Sequence, residues 1–368
     1  MKKYEKIYAL LKTEILSGAY PYGARLPSKR TLAEENGVSL STAETALDIL
    51  RSEGYIDSAE RSGFFCAYRE SDFLFSAAGS VSGDSFTEDC FTVGSGSVAA
   101  AREETFPFTV YARAMRRVLA EYGEKLLEKP PKNGVPQLKS ALKNYLLRSR
   151  ALNVNENQIV IGAGAEYLYG VIAELLGTGR IYGTESPAYG QIARVYAAKG
   201  AQVRLLRIGA DGILSGELAA TDADVLHVTP YRSYPTLATA TATKKAEYLR
   251  FAREKNGYVV EDDYLSEFSP YAKPAETLFG ADEAGRVIYV NTFSKTLSPA
   301  LRAGYMLLPP ALAVRYEEEL GFYSCPVPAT EQYVLAALLS DGSFERHINR
   351  LRRRMRNAID KNKTEGTI

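Results

Sequence analysis

The sequence predicts an α/β protein: a small N-terminal helical unit closed by a hairpin, then a large domain whose mostly parallel sheet is flanked by helices. Two observations carry that expectation. The strand-like runs "QIVIGAG", "RIYGTE", "QVRLLRI", "DVLHVTP", "GYVVEDD" and "RVIYVNTF" alternate with helical stretches such as "AEYLYGVIAELL" and "ATKKAEYLRFAREKN". Alternation of that kind builds parallel sheets covered on both faces. Ahead of it, residues 1–68 read as three helices and two short strands, and the Ser/Gly/Ala-rich text of 69–104 reads as a linker, with "DCFTV" a candidate early strand. The expected domains are 1–68, the linker 69–104, and 105–368.

Length and composition agree with two or more domains and a large core: 368 residues, 46% hydrophobic and 24% charged. A formal net charge of +1 points to neither a nucleic acid nor a membrane through bulk electrostatics. "MKKYEKIYALLKTEIL" interrupts its apolar positions with charges, unlike a signal peptide, and no run is long enough to span a bilayer. Three separated cysteines (Cys66, Cys90, Cys325) suit a reducing cytoplasm better than a disulfide frame. Only His227 and His347 are present, with no nearby Cys/His pair, so no metal site is expected. A cytoplasmic protein is the expectation.

In the first unit, "YEKIYALLKTEILSG" places Ile7, Leu10, Leu11 and Ile15 on a helix that closes at Gly18. "SKRTLAEEN" is a short helix stopped by Gly37. "STAETALDILRSEG" opens with Ser41 and Glu44 in capping-box spacing and packs through Ala43, Ala46, Leu47 and Leu50. "YIDSAERSGFFCAY" completes the unit as two strands around a Ser-Gly turn. These are the parts of a winged helix-turn-helix. Ser39, Ser41, Thr42 and Thr45 form a polar tip short enough to approach phosphates and base edges, with Lys29 and Arg30 on the preceding helix and Arg61 at the wing tip. Against this, residues 1–70 hold ten Lys/Arg and ten Asp/Glu, and a plain interaction domain is built from the same elements. The stretch "GAYPYGARLPSKRTLAEENGVS", followed by "EGYI" and "RSGFF", resembles the GntR-type winged helix, which implies double-stranded DNA as a partner. Leu40 stands where that family commonly carries arginine.

In the large domain, "NTFSKTLSPALRAGY" sets Lys295 after a strand end, where open parallel sheets place ligands. Thr292, Ser294 and Arg302 offer hydroxyls and a forked cation to a phosphate. Taken alone, Lys295 reads as a surface charge. "VVEDDY" ends an apolar strand in three acids, which need a cationic partner, a metal or a helix N-terminus; Asp262 can pair with a protonated ring nitrogen and Tyr264 can reach a ring hydroxyl. "GAGAEYLYG" passes small residues into a helix whose amides suit a phosphate. "ESPAYG" offers Tyr189 as a stacking partner, although taken alone an ordinary core tyrosine is the better explanation.

The order of "GAGAEY", "ESPAYG", "VTPYRSYPT", "VVEDDY" and "NTFSKTLSPALRAG" resembles the fold-type-I aminotransferases, and more closely the MocR branch of the GntR regulators. That resemblance implies pyridoxal 5′-phosphate as cofactor, with Lys295 as its internal aldimine and catalytic lysine. It places Asp262 at the pyridine nitrogen, Tyr264 at the ring hydroxyl, Tyr189 stacked on the ring and Tyr234 at its edge. Ala165, Glu166 through its backbone, Thr292 and Arg302 then hold the phosphate. It further implies a homodimeric, PLP-dependent transcription regulator whose aldimine senses an amine or amino acid, the alternative being a working amino acid aminotransferase with an attached DNA-binding domain. Two departures stand out. "YPTL" (Tyr234–Leu237) replaces the family's "NPTG", and the C-terminal small domain, source of the expected carboxylate-binding arginine, is mostly lacking. The final Arg-rich helix is then an exposed basic surface.

Overall fold

The computed structural model describes residues 3–52, 55–59, 63–68, 107–268 and 276–365. The chain divides into two compact units, one drawn from residues 1–117 and 338–368, the other from 118–337. The linker expected over 69–104, the strand "DCFTV" and Arg61 lie outside the described residues.

In the first unit α1 (Lys3–Leu16), α2 (Lys29–Glu35) and α3 (Leu40–Ser52) precede a hairpin of β1 (Ile56–Ala59) and β2 (Gly63–Cys66), paired antiparallel from Ile56↔Cys66 to Ala59↔Gly63. The core joins Ile7, Leu11 and Ile15 of α1 to Leu32, Ala43, Ala46, Leu47 and Leu50, with Ile56 and Phe64 from the hairpin. Leu10 was expected on the packing face but is 49% exposed. The buried stripe runs strictly i, i+4, i+8 through Ile7, Leu11 and Ile15, and Leu10 falls about 100° off it. The start of α3 also differs. Ser39, not Ser41, is the cap, its hydroxyl accepting from the Thr42 amide at 3.3 Å. Glu44 does not complete a capping box and pairs with Lys29 of α2 instead.

The helix Ser343–Glu365 belongs to this unit. It is not simply an exposed basic surface. Arg353 donates to Asp57 of the hairpin at 3.1 Å and is 12% exposed, and the Arg346 guanidinium stands 5.5 Å from the Tyr55 ring centre. Long arginine stems bury readily along apolar surface while their heads find a partner.

The second unit is an eight-stranded sheet in the order β3-β10-β9-β8-β7-β4-β5-β6. The strands are β3 (Ile159–Gly162), β4 (Ile181–Ser186), β5 (Gln202–Gly209), β6 (Gly212–Ile213), β7 (Val225–Val228), β8 (Tyr258–Asp262), β9 (Val287–Thr292) and β10 (Gly304–Leu307). The pairs β9–β8, β8–β7, β7–β4 and β4–β5 are parallel. β10, which sequence reading did not separate from the lysine motif, runs antiparallel to both neighbours, and β6 turns back along β5. All six strands that were expected are present.

Alternate residues of the central strands enter opposite layers. Val260, Ile288 and Val290 pack with Leu168, Ile172 and Leu175 of the helix Ala165–Leu176 on one face. Val259 and Val287 pack with Tyr248, Phe251 and Leu278 on the other. Gly257 lets the chain enter β8, since a Cβ there would lie 1.9 Å from the Asp224 carbonyl oxygen, which instead accepts from the Tyr258 amide at 3.0 Å.

Candidate functional site

The parallel strands β7, β8 and β9 deliver polar residues at or near their C-terminal ends, the rim where open α/β sheets bind ligands. Asp262 closes β8 and is 5% exposed. Its Oδ2 accepts from the Tyr169 hydroxyl at 2.5 Å and lies 3.7 Å from His227 Nε2 on β7. His227 Nδ1 is 2.8 Å from the Tyr196 hydroxyl, and its ring meets Tyr169 edge-on at 4.8 Å. Burial, then the charge of Asp262, pushes the Tyr169 phenol well above its ordinary range, so it stays a donor. Asp262 Oδ1 and His227 Nε2 are buried with no hydrogen-bond partner among the described residues. A buried carboxylate oxygen without a donor is costly, so this edge of the site suits a protonated ring nitrogen.

The three consecutive acids meet three different ends. Glu261 Oε1 and Oε2 accept from the amides of Leu278 and Phe279, each at 2.9 Å, at the start of the helix Leu278–Ala281. Burial and the neighbouring Asp263 still lift the Glu261 carboxyl to about 7. Asp263 pairs with the buried Arg150 and accepts from the Tyr289 hydroxyl at 2.7 Å. Of the three, Asp262 alone has a buried carboxylate oxygen with no partner among the described residues. That division follows from the pleat, which turns Glu261 and Asp262 to opposite faces.

A second group assembles at the N-terminus of the helix Ala165–Leu176. Gly164, at φ +92°, precedes it, and a Cβ there would sit 3.3 Å from Arg302 Nη2. Arg302 donates to Glu166 Oε2 at 3.3 Å, and the Tyr189 hydroxyl donates to Glu166 Oε1 at 3.1 Å. Ala165, Glu166, Tyr189 and Arg302 are therefore brought together by the fold. The Arg302 side chain is 56% exposed and Tyr189 48%, an open face to which free helix amides and a guanidinium can draw an anion. Glu166 was expected to act through its backbone alone, and its side chain also engages both partners.

Thr292 ends β9 and is buried, its amide donating to Asn291 Oδ1 at 2.6 Å. Lys295 lies three residues on, exposed on the short helix Phe293–Thr296. The Tyr264 hydroxyl donates to the Arg232 carbonyl at 3.2 Å, and burial, then the charge of Asp262, raises its pKa. Tyr234 is 58% exposed. Leu237, in the place of the glycine of "NPTG", adopts φ +59°, a left-handed conformation that costs a side chain about 1–2 kcal/mol.

Sequence reading missed Tyr169, His227, Tyr196, Glu185 and Ser233. Glu185 ends near the rim and accepts from the Ser233 hydroxyl at 2.6 Å. The available signal was a polar residue inside a fully buried strand: His227 interrupts "VLHV", and such a residue needs a partner across the sheet.

At the first unit, Ser39, Ser41 and Thr45 are exposed and Thr42 half-buried at the leading end of α3, with Arg30 exposed and Lys29 half-buried on α2. Among the described residues no helix is long and apolar enough to cross a membrane.

Comparison with known proteins finds two family matches along the chain. Residues 3–66 match the model of bacterial regulatory proteins of the gntR family, and residues 88–364 match aminotransferase class I and II. The chain is 30% identical to the uncharacterized HTH-type transcriptional regulator YdeL of Bacillus subtilis, over 95% of this chain and 76% of that protein. It is 30% identical to the probable rhizopine catabolism regulatory protein MocR of Rhizobium meliloti, over 95% and 74% respectively. Among solved structures, it is similar to LysN, an α-aminoadipate aminotransferase of Thermus thermophilus complexed with N-(5′-phosphopyridoxyl)-L-leucine, with a TM-score of 0.59 and 26% identity over 68% of this chain and 64% of that one.

Proposed function

Because this chain belongs to the MocR-type subfamily of the GntR transcription regulators, we propose that it binds operator DNA through its N-terminal unit and pyridoxal 5′-phosphate through its large domain, and that an amine or amino acid effector acts at the cofactor. The observation that carries this reading is the buried Asp262, whose Oδ1 has no partner among the described residues. When bound, the cofactor supplies an aldehyde that condenses reversibly with amines and a ring that accepts electron density. The residues present fit it. Asp262, held by Tyr169 and flanked by His227, would keep a proton on the ring nitrogen. Ala165, Glu166, Thr292 and Arg302 would hold the phosphate. Tyr189 would cover the ring face, Tyr264 and Tyr234 would meet its edge, and Lys295 would offer the amine.

Effector binding shifts DNA affinity only if the effector prefers one arrangement of the regulator over another. The protein acts in the cytoplasm as a homodimer, each protomer presenting α3 to the major groove. Incubation with pyridoxal 5′-phosphate is expected to give a visible absorbance band that borohydride removes and that Lys295→Ala lacks. Amino acids that act as effectors shift that band. Absence of the band in the unaltered chain would overturn the cofactor reading. DNA binding is checked separately by retardation of duplexes at graded salt, where the affinity should fall steeply with ionic strength.

A further inference from the structure

We propose that Leu40 is a specificity-determining residue of the DNA-binding unit and that it reads the C5-methyl group of a thymine in the major groove. The inference rests on the DNA-binding reading above and concerns which base that unit selects. Leu40 is the first residue of α3 and is 51% exposed, on a helix whose other large aliphatic residues, Leu47, Ile49 and Leu50, are buried.

Its polar neighbours are already engaged with one another. The Ser39 hydroxyl lies 2.9 Å from that of Ser41 and 2.8 Å from that of Thr42. The Thr45 hydroxyl donates to the Ser41 carbonyl at 2.8 Å. Glu44, one turn beyond Leu40, is held by Lys29, and Asp48, one turn further, pairs with Arg51 at 3.1 Å. Direct polar readout by these groups must therefore displace a contact each already makes. Leu40 has no such contact to give up. Its side chain offers only apolar surface, and thymine alone among the bases presents a methyl group in the major groove.

The two acids on the same face of α3 work in the same direction. Paired with Lys29 and Arg51, they repel the duplex less than free carboxylates would, so the leucine can approach a base edge. Burying one methyl group against the leucine is worth about 0.8 kcal/mol, or about fourfold in affinity.

The test starts from a pool of random-sequence duplexes from which the full chain selects its preferred sites. Each thymine of the selected duplex is then replaced in turn by uracil, which removes the methyl group and nothing else. At one or two positions in each half-site, uracil is expected to weaken binding about fourfold for the unaltered chain and to make no difference for Leu40→Ala. Leu40→Ala should keep the same salt dependence, because an apolar contact releases no counterions. Equal uracil sensitivity in both proteins, or none in either, would overturn the role of Leu40 and leave DNA binding standing. Failure to enrich any sequence would overturn DNA recognition itself, and the role of Leu40 with it.

Discussion

Glu185→Gln is expected to stabilise the protein at alkaline pH and to leave it almost unchanged at mildly acidic pH. Glu185 is 4% exposed. Burial lifts its carboxyl from 4.5 to about 7, opposed by hydrogen bonds from the Ser233 hydroxyl and the Thr229 backbone, with Asp262 adding to the rise. The folded chain thus holds this proton more tightly than the unfolded chain does. The stability that results is present in full below pH ~4.5 and is lost as pH rises through about 7. At about 1.4 kcal/mol per pH unit, the gap amounts to about 3 kcal/mol. Glutamine keeps the shape and the acceptor for Ser233 without the charge. Thermal unfolding of both proteins from about pH 5 to about pH 8.5 should show the variant gaining under about 1 kcal/mol at the acidic end and about 3 kcal/mol at the alkaline end. For a domain of this size that is an upward shift in Tm of roughly 6–12 °C. The raised Glu261 and Glu267 carboxyls tilt both profiles alike and cancel in the difference. Superimposable profiles, or a variant less stable at about pH 8.5, would refute the account of Glu185 as a carboxyl kept neutral by burial.

Arg150→Met removes the cation from Asp263 and leaves a buried carboxylate with the Tyr289 hydroxyl still donating to it; a loss of about 3–5 kcal/mol in urea unfolding is expected. Adding Asp263→Asn to that variant should recover a large part of the loss, because no charge is then left unpaired. Gly257→Ala drives a Cβ to within 1.9 Å of the Asp224 carbonyl oxygen and should cost at least about 1–3 kcal/mol. Gly216→Ala, where an added Cβ meets nothing within 4 Å, is the control in the same unfolding measurement and should gain up to about 1 kcal/mol, because the residue lies in the helix Ser215–Ala220. Together with the Lys295 and Leu40 variants described above, these measurements test both units of the chain.

Much of the fold was legible because it rests on short-range regularities. The i, i+4 stripe of α1 and the apolar runs of β3, β7, β8 and β9 are consequences of local geometry and burial. Errors arose where two local solutions compete. Ser39 and Ser41 are both good caps; Ser39 takes the role, and Glu44, expected to complete a box with Ser41, meets Lys29 of α2 instead, a contact between helices. β10 escaped notice because "GYML" is only four residues long and follows a motif without a turn signal of its own; its identity as a strand comes from the partners β3 and β9 on either side.

The candidate site divides in the same way. Lys295, Asp262, Tyr264 and Arg302 stood out as candidates because each sits in a segment whose residue types suit one chemistry, and the order of the segments carries the resemblance. The sequence by itself therefore determined the α/β class, the strand-end positions of the candidate residues and the family. Only the tertiary structure decided which of Glu261, Asp262 and Asp263 keeps a buried oxygen with no partner among the described residues. The first is held by helix amides and the last by Arg150, while Asp262 is joined to Tyr169 and His227 from elements far away in the chain. The physical reason is that hydrogen bonds and ion pairs in a dry interior are settled by which side chains the packed layers bring within about 3 Å of each other, and neighbours along the chain carry no record of that.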